Sequence, residues 1–82
     1  MWLAEYRHPR TVPQSGVDVV CTVPEGYRPS PGARYEGVVM DNNLSLGVLA
    51  IGLVGNANVE LRTLSDELIA DTSMRGFVCW PY

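Results

Sequence analysis

The sequence contains no lysine and no dense cluster of basic residues. Its six cations are all arginines, nine carboxylates outnumber them, and the formal net charge is −3. The densest basic stretch holds no more than Arg7, His8 and Arg10. Nucleic-acid binding needs a basic patch that neutralises several phosphates. The composition therefore predicts that nucleic acid is not a partner.

Long apolar runs are also missing. A helix that spans a bilayer needs about 18 or more consecutive apolar residues. The most apolar stretch, residues 44–54, is short and is interrupted by Gly47 and Gly52. The opening residues, Met1–Tyr6, lack the basic and apolar regions of a secretory signal. We therefore predict no membrane insertion, and synthesis in a cytoplasm.

Side chains for metal binding or nucleophilic catalysis are scarce. The chain has one histidine, His8, and two cysteines, Cys21 and Cys79, which are far apart and form no Cys-x-x-Cys motif. Each cysteine lies in an apolar, strand-like run, so we interpret both as buried free thiols. A disulfide is the alternative if the first and last strands are neighbours. His8 precedes a proline and is interpreted as a solvated surface residue, and neither a metal site nor a cofactor is predicted.

No catalytic constellation is visible among the remaining polar residues. Glycoside hydrolysis requires two carboxylates across a cleft, and no spacing of that kind relates Glu25, Glu36, Glu60 and Glu67. No Gly-Lys-Ser/Thr motif follows a glycine-rich stretch, so a phosphate-binding loop is not predicted. The sequence predicts that the chain is not an enzyme and has no catalytic residue.

What the chain does contain is a rigid turn between two apolar runs, at residues 23–29. The two prolines fix φ at about −65° and favour extended geometry in the residue before each of them. The glycine can take the positive φ that a reversal between strands needs. We therefore predict a structural turn that is formed by Pro24, Gly26, Tyr27, Arg28 and Pro29.

Strand-like segments lie on both sides of this turn. They are rich in β-branched residues or alternate between apolar and polar residues, and they are residues 17–23, 35–40, 44–53, 59–63 and 74–80. Asp41-Asn42-Asn43 suits a tight hairpin. The apolar residues of the third segment change from even to odd positions, which predicts a β-bulge near Val48. Residues 65–71 begin with a serine cap and acids, so they predict a single helical turn at most.

These segments predict an all-β fold, a small antiparallel sandwich or barrel-like module of five to six short strands. We assign residues 1–16, which are broken by two prolines, to an extended N-terminal arm, and residues 17–82 to a single β-rich domain. A domain of this size buries only about 60% of the surface of its unfolded chain. Because 46% of the residues are hydrophobic, association between subunits is expected.

Aromatic side chains are the best candidates for ligand contacts. A flat ring with a hydrogen-bonding tip suits sugar or protein recognition. Tyr27 lies in the rigid turn and Trp80 in the final strand, which favours packing in the core or in a subunit contact for both. Tyr35 and Tyr82 are freer. The predicted ligand-binding residues are Tyr35, Tyr82 and Trp80.

The turn Val23-Pro24-Glu25-Gly26-Tyr27-Arg28-Pro29 resembles a turn found in C-terminal, β-rich modules of bacteriophage tail-fibre and minor tail proteins. The pattern in that family is leucine or valine, proline, any residue, glycine, tyrosine, arginine and proline. The resemblance extends over residues 17–82, through a hairpin-rich middle to the final glycine, strand and tryptophan at Gly76–Trp80.

This resemblance implies a homotrimeric module at the distal end of a tail fibre or tailspike in the virion. Such modules bind the host surface or help the fibre to trimerise. The implied partners are two further copies of the chain, the rest of the fibre, and a host cell-surface glycan or protein. No catalytic residue is implied. The alternative is a carbohydrate-binding accessory domain of a phage depolymerase or lysin.

Overall fold

The computed structural model describes residues 1–82 and contains six β-strands and no helix. The strands are β1 (Trp2–Arg7), β2 (Val17–Thr22), β3 (Tyr35–Asp41), β4 (Leu46–Ile51), β5 (Asn58–Thr63) and β6 (Ser73–Phe77). All pairings are antiparallel, and the order in the single sheet is β1-β6-β3-β4-β5-β2. The sheet curls into a half-barrel, so the predicted all-β fold is confirmed.

The hydrophobic core lies on the concave face of the sheet. β4 contributes Leu49 and Ile51, and β5 contributes Val59 and Leu61, all of them buried. In β5 these side chains alternate with polar residues, as predicted, because successive side chains of a strand point to opposite faces. Burial of each such side chain stabilises the fold by about 1.5–3 kcal/mol.

Close approach of β3 to β6 requires glycine on the concave face. A Cβ added to Gly37 would lie 1.7 Å from the carbonyl oxygen of Phe77, and one added to Gly76 would lie 2.3 Å from the carbonyl oxygen of Val38. No side chain fits at either distance. The two glycines therefore let the backbones of β3 and β6 pack together at the centre of the sheet.

A backbone bridge covers the upper end of the half-barrel, where β1 and β5 finish. The Val12 N–H donates to the Leu68 carbonyl at 2.9 Å, and the Leu68 N–H donates to the Val12 carbonyl at 2.8 Å. Both side chains belong to the core. The helical turn that residues 65–71 allowed is not formed, because Leu68 bonds to the distant Val12 instead of to its own segment.

Residues 1–16 do not form a separate arm, because Trp2–Arg7 is strand β1 and pairs with β6. The prolines that suggested an arm, Pro9 and Pro13, interrupt only the segment after β1. The strand also contains a register shift between Leu3 and Tyr6, which removes the regular alternation of a strand. β1 is therefore part of the domain.

The bulge predicted near Val48 is absent. β4 pairs with β3 and with β5 without a register shift. The apolar residues change position because both faces of β4 are apolar: Leu49 lies on the concave face, whereas Leu46 and Val48 lie on the convex one. The bulges occur instead in β1 and, between Val19 and Cys21, in β2.

The curl of the sheet brings its two edge strands, β1 and β2, next to each other. Side chains join them. His8, just after β1, hydrogen-bonds Asp18 of β2, and the Cys21 Sγ of β2 lies 3.7 Å from the Met1 Sδ. Since β1 and β2 are not hydrogen-bonded neighbours in the sheet, these side chains hold the half-barrel together along this line, which we call the seam.

Candidate functional site

The convex face of the sheet carries an apolar patch, which we call the outer apolar face. It consists of Trp2, Val38, Met40, Leu46, Val48 and Phe77. The strand register places Trp2 beside Phe77, and Phe77 beside Val38. Val38 pairs in turn with Val48, and Met40 with Leu46. Four neighbouring strands thus contribute to one continuous apolar surface.

Large side chains of the outer apolar face are open to solvent. Trp2 is 74% exposed and stacks on Phe77, with ring centroids 6.0 Å apart. A depression of about 180 Å³ lies beside these rings and is also lined by Val38 and Met40. The whole chain exposes twelve large hydrophobic side chains and buries eleven hydrophobic residues. An exposed and continuous apolar surface of this kind is a candidate interaction site.

Glu60 lies next to this patch and is buried without a complete set of partners. It pairs with Ala50 of β4 on the convex face, one row away from Val48. The residue is 5% exposed, and its Oε1 has no hydrogen-bond partner. The alternation of β5 predicted a solvated side chain here, which is wrong. A buried carboxylate oxygen without a donor destabilises the fold, so a donor from outside the chain would be favourable.

A polar cluster lies at the seam and consists of Tyr6, His8, Arg10 and Asp18. His8 is only 1% exposed. Its Nδ1 lies 2.6 Å from the Tyr6 Oη, and its Nε2 lies 2.7 Å from the Asp18 Oδ2. The Arg10 Nε donates to the same Asp18 oxygen at 2.7 Å. The interpretation of His8 as a solvated residue is wrong, because the local sequence does not show that β2 packs against it.

The protonation states in this cluster follow from its geometry. Hydrogen bonds from Arg10 and from His8 lower the pKa of Asp18 to about 2, so its carboxylate only accepts. The His8 Nε2 therefore carries a proton and donates it. Burial raises the pKa of Tyr6, which makes its hydroxyl a poor nucleophile or base. The cluster has the connectivity of a proton relay. In this structure its hydrogen bonds join the end of β1 to β2.

The most enclosed cavity lies at the upper end and has a volume of about 20 Å³. That is room for about one water molecule. Its lining includes the carboxylates Asp41, Asp66 and Glu67. No group of three or more histidine, cysteine or carboxylate side chains in the chain is arranged to hold a metal ion. This enclosed cavity is thus too small for a substrate, and its carboxylates do not form a metal-binding cluster.

The predicted turn at residues 23–29 is formed at the lower end, where the chain crosses from β2 to β3. The Tyr27 N–H donates to the Pro24 carbonyl at 3.2 Å, and Gly26 has a φ of 88°. A glycine with positive φ at this position is the signature of a type II turn. The Arg28 Nε donates to the Val23 carbonyl at 2.7 Å, which fixes the turn against the end of β2.

Two of the predicted ligand-binding residues, Tyr82 and Trp80, lie beside this turn. Trp80 is half-buried against the core, and its Nε1 donates to the Tyr27 carbonyl at 2.6 Å. Tyr82 is 79% exposed and Tyr27 is 55% exposed, and their ring centroids are 5.3 Å apart. We call Tyr27 and Tyr82 the aromatic pair.

The third predicted residue, Tyr35, is not brought to the aromatic pair. It pairs with Ile51 and is half-buried against the core. Tyr27, which sequence reasoning assigned to packing, is the exposed ring instead. The turn itself could have identified Tyr27, since the side chains of a surface turn are commonly open to solvent.

The two cysteines are free. The disulfide alternative is not realised: β2, which contains Cys21, is not paired with β6, and β1 lies between them at the seam. The prediction that Cys79 is buried is wrong. β6 ends at Phe77, two residues before Cys79, and the Cys79 side chain is exposed. Cys21 is half-buried, and its burial raises the pKa of its thiol. Neither position favours a reactive thiolate.

Comparison with protein-family models, with curated proteins and with solved structures finds no match for this chain. The likeness to phage tail-fibre modules therefore rests on the turn and on the order of the strand-like segments.

Proposed function

We propose that this chain is a non-enzymatic structural module of a phage virion, which forms the tip of a tail fibre or tailspike. In that role it assembles as a homotrimer and mediates attachment to the host. The outer apolar face is the observation that carries the proposal. The resemblance of residues 23–29 to the turn of tail-fibre modules supplies the biological setting.

The energetics of the outer apolar face favour assembly. A large apolar side chain that moves from water into a contact gains about 1.5–3 kcal/mol. Trp2 and Phe77 stay open to solvent in a single chain, so this gain is available only to an assembly. The core of a domain this small leaves a limited margin of stability, which such contacts would increase.

The orphan oxygen of Glu60 supports the same conclusion. Glu60 pairs with Ala50, which is two residues from Val48 of the outer apolar face. It lies on the convex side of the sheet, which a neighbouring copy would cover. The Oε1 has no accessible surface in the single chain, so a donor from that copy would satisfy it once the Glu60 side chain turns outward, which removes a destabilising group from the fold. Apolar contacts with a satisfied polar group at their margin are typical of subunit interfaces.

The assembly half of the proposal is tested by the solution mass of the chain, measured by size-exclusion chromatography with light scattering across a dilution series. We expect a mass of three chains that persists on dilution and falls to one chain in the Phe77→Ser variant. Tyr82→Ser is the control, because Tyr82 is also an exposed aromatic residue but lies outside the outer apolar face. A wild-type chain that is monomeric at every concentration would contradict the proposal.

The attachment half is tested with the fluorescently labelled module on host cells. We expect saturable binding that unlabelled module displaces. A confirmed trimer that does not bind the cells would leave assembly of the fibre as the sole role.

A further inference from the structure

We infer that the aromatic pair is a carbohydrate-binding site that takes neutral pyranose units of a glycan. The site lies at the lower end of the half-barrel and does not include the outer apolar face. The inference therefore goes beyond the proposed assembly, and it names the chemistry of a ligand.

The shape of the aromatic pair suits a sugar. The rings of Tyr27 and Tyr82 are 5.3 Å apart and tilted by 53°, so they form two walls of a shallow angle. Both rings are mostly open to solvent. A pyranose has an apolar C–H face and a polar rim, and a tyrosine has an apolar ring and a hydroxyl tip. Each wall can thus contact a sugar face while its hydroxyl bonds to the rim.

The backbone of Tyr27 is held in place before any ligand binds. The Tyr27 carbonyl accepts a hydrogen bond from the Trp80 Nε1, and Trp80 is packed against the core. Pro81 fixes φ between Trp80 and Tyr82. A tyrosine on a fixed backbone has only two side-chain torsions to order on binding. Binding therefore orders few groups, which favours affinity for a small ligand.

Polar groups of both signs flank the rings. Glu25 is exposed and belongs to the same turn. Arg28 uses its Nε for the Val23 carbonyl, and its remaining guanidinium N–H groups have no partner in the chain. An acceptor and a set of donors thus belong to the same turn as Tyr27. Because the two charges balance, the site favours a neutral, hydroxyl-rich ligand over an anion.

The size of the site distinguishes it from a protein interface. A stable protein contact covers about 800 Å² on each partner, whereas the aromatic pair consists of two rings at one end of the fold. The broad apolar surface of the chain is the outer apolar face, in a different region. Two exposed and oriented rings match one or two sugar units.

The experiment applies labelled protein to an array of microbial polysaccharides and oligosaccharides, and then titrates the best-bound soluble oligosaccharide by calorimetry. We expect at least one saturable neutral glycan. Tyr27→Ala and Tyr82→Ala should each weaken its binding by about tenfold or more, through loss of one wall. Tyr82→Phe retains the ring and should keep most of the affinity. Absence of any glycan that binds, or unchanged affinity in the Tyr27→Ala/Tyr82→Ala double variant, would overturn the inference.

The matched control is Trp2→Ser, which removes an exposed aromatic ring of the outer apolar face. It should lower the solution mass and leave the affinity for a soluble oligosaccharide unchanged. Tyr82→Ala should weaken binding of the oligosaccharide and leave the solution mass unchanged. Failure of the sugar site and failure of the proposed assembly are thus distinguishable. Since Tyr82 is exposed, its variants should keep the wild-type unfolding midpoint, which confirms that they are folded.

Discussion

The concave and convex faces of the sheet are both rich in apolar side chains, yet they differ in what covers them. In β4, Leu49 and Ile51 are fully buried, while Leu46 on the opposite face is exposed. β4 therefore contributes side chains both to the core and to the outer apolar face. Alternation of polar and apolar residues marks a strand with a single buried face, and its loss in β4 marks a second apolar face that the chain alone leaves uncovered.

The largest effect is expected from truncation of the concave face. Leu49→Ala should lower the free energy of unfolding by about 3 kcal/mol, because it leaves a cavity in a fully packed core. Urea denaturation followed by tryptophan fluorescence measures this change. A loss below about 1 kcal/mol would mean that the interior is loosely packed and that the comparison of the two faces is wrong.

A smaller effect is expected from the polar seam as the pH falls. The pKa of Asp18 is about 2 in the folded chain and 3.8 ordinarily. Its hydrogen bonds therefore contribute fully above a pH of about 4 and are lost as the pH falls through about 2. Because Asp18 is partly open to solvent, we expect a loss of only about 1 kcal/mol.

Urea denaturation at several pH values, for the wild type and for Asp18→Asn, measures this dependence. The variant should be less stable than the wild type at neutral pH, and its stability should change less between pH 4 and pH 2. Equal slopes in the two proteins would show that Asp18 does not stabilise the seam.

The smallest effect on folding is expected from the convex face of the same strand as Leu49. Leu46→Ser, at an exposed position, should change the free energy of unfolding of the single chain by about 0.5 kcal/mol or less. Its effect should appear in association instead, as a mass that falls at a higher concentration than in the wild type. A loss of stability as large as that of Leu49→Ala, measured on dilute protein, would show that the convex face is part of the core.

Most of the fold could be predicted because its signals are local. Residues 59–63 alternate cleanly, and Asp41-Asn42-Asn43 forms the expected hairpin, with the Asp41 Oδ1 accepting from the Asn43 N–H at 2.8 Å. The turn with Gly26 is equally local. In each case a few adjacent residues carry the conformational preference that decides the structure.

The features that were missed depend on distant residues. β1 contains a register shift that puts Leu3 and Tyr6 against the same core although three positions separate them, so it shows no alternation. His8 is buried by β2, a strand that the curl of the whole sheet brings to it. The exposure of Tyr27 likewise depends on how the turn docks at the lower end. No short stretch of the sequence shows which distant strands pack against these residues.

The strand order also has a consequence for how the protein comes to be made. β1 has only β6 as a hydrogen-bonded neighbour, so the first strand of the sheet in chain order pairs with the last. The meander of β3, β4 and β5 can form while the chain is still growing, but β1 must wait until Phe77 has left the ribosome. Pairing across so long a loop is slow, and the waiting strand is prone to aggregation. Until then Leu3 and Tyr6, which pack against the core in the folded chain, stay uncovered and are open to wrong partners.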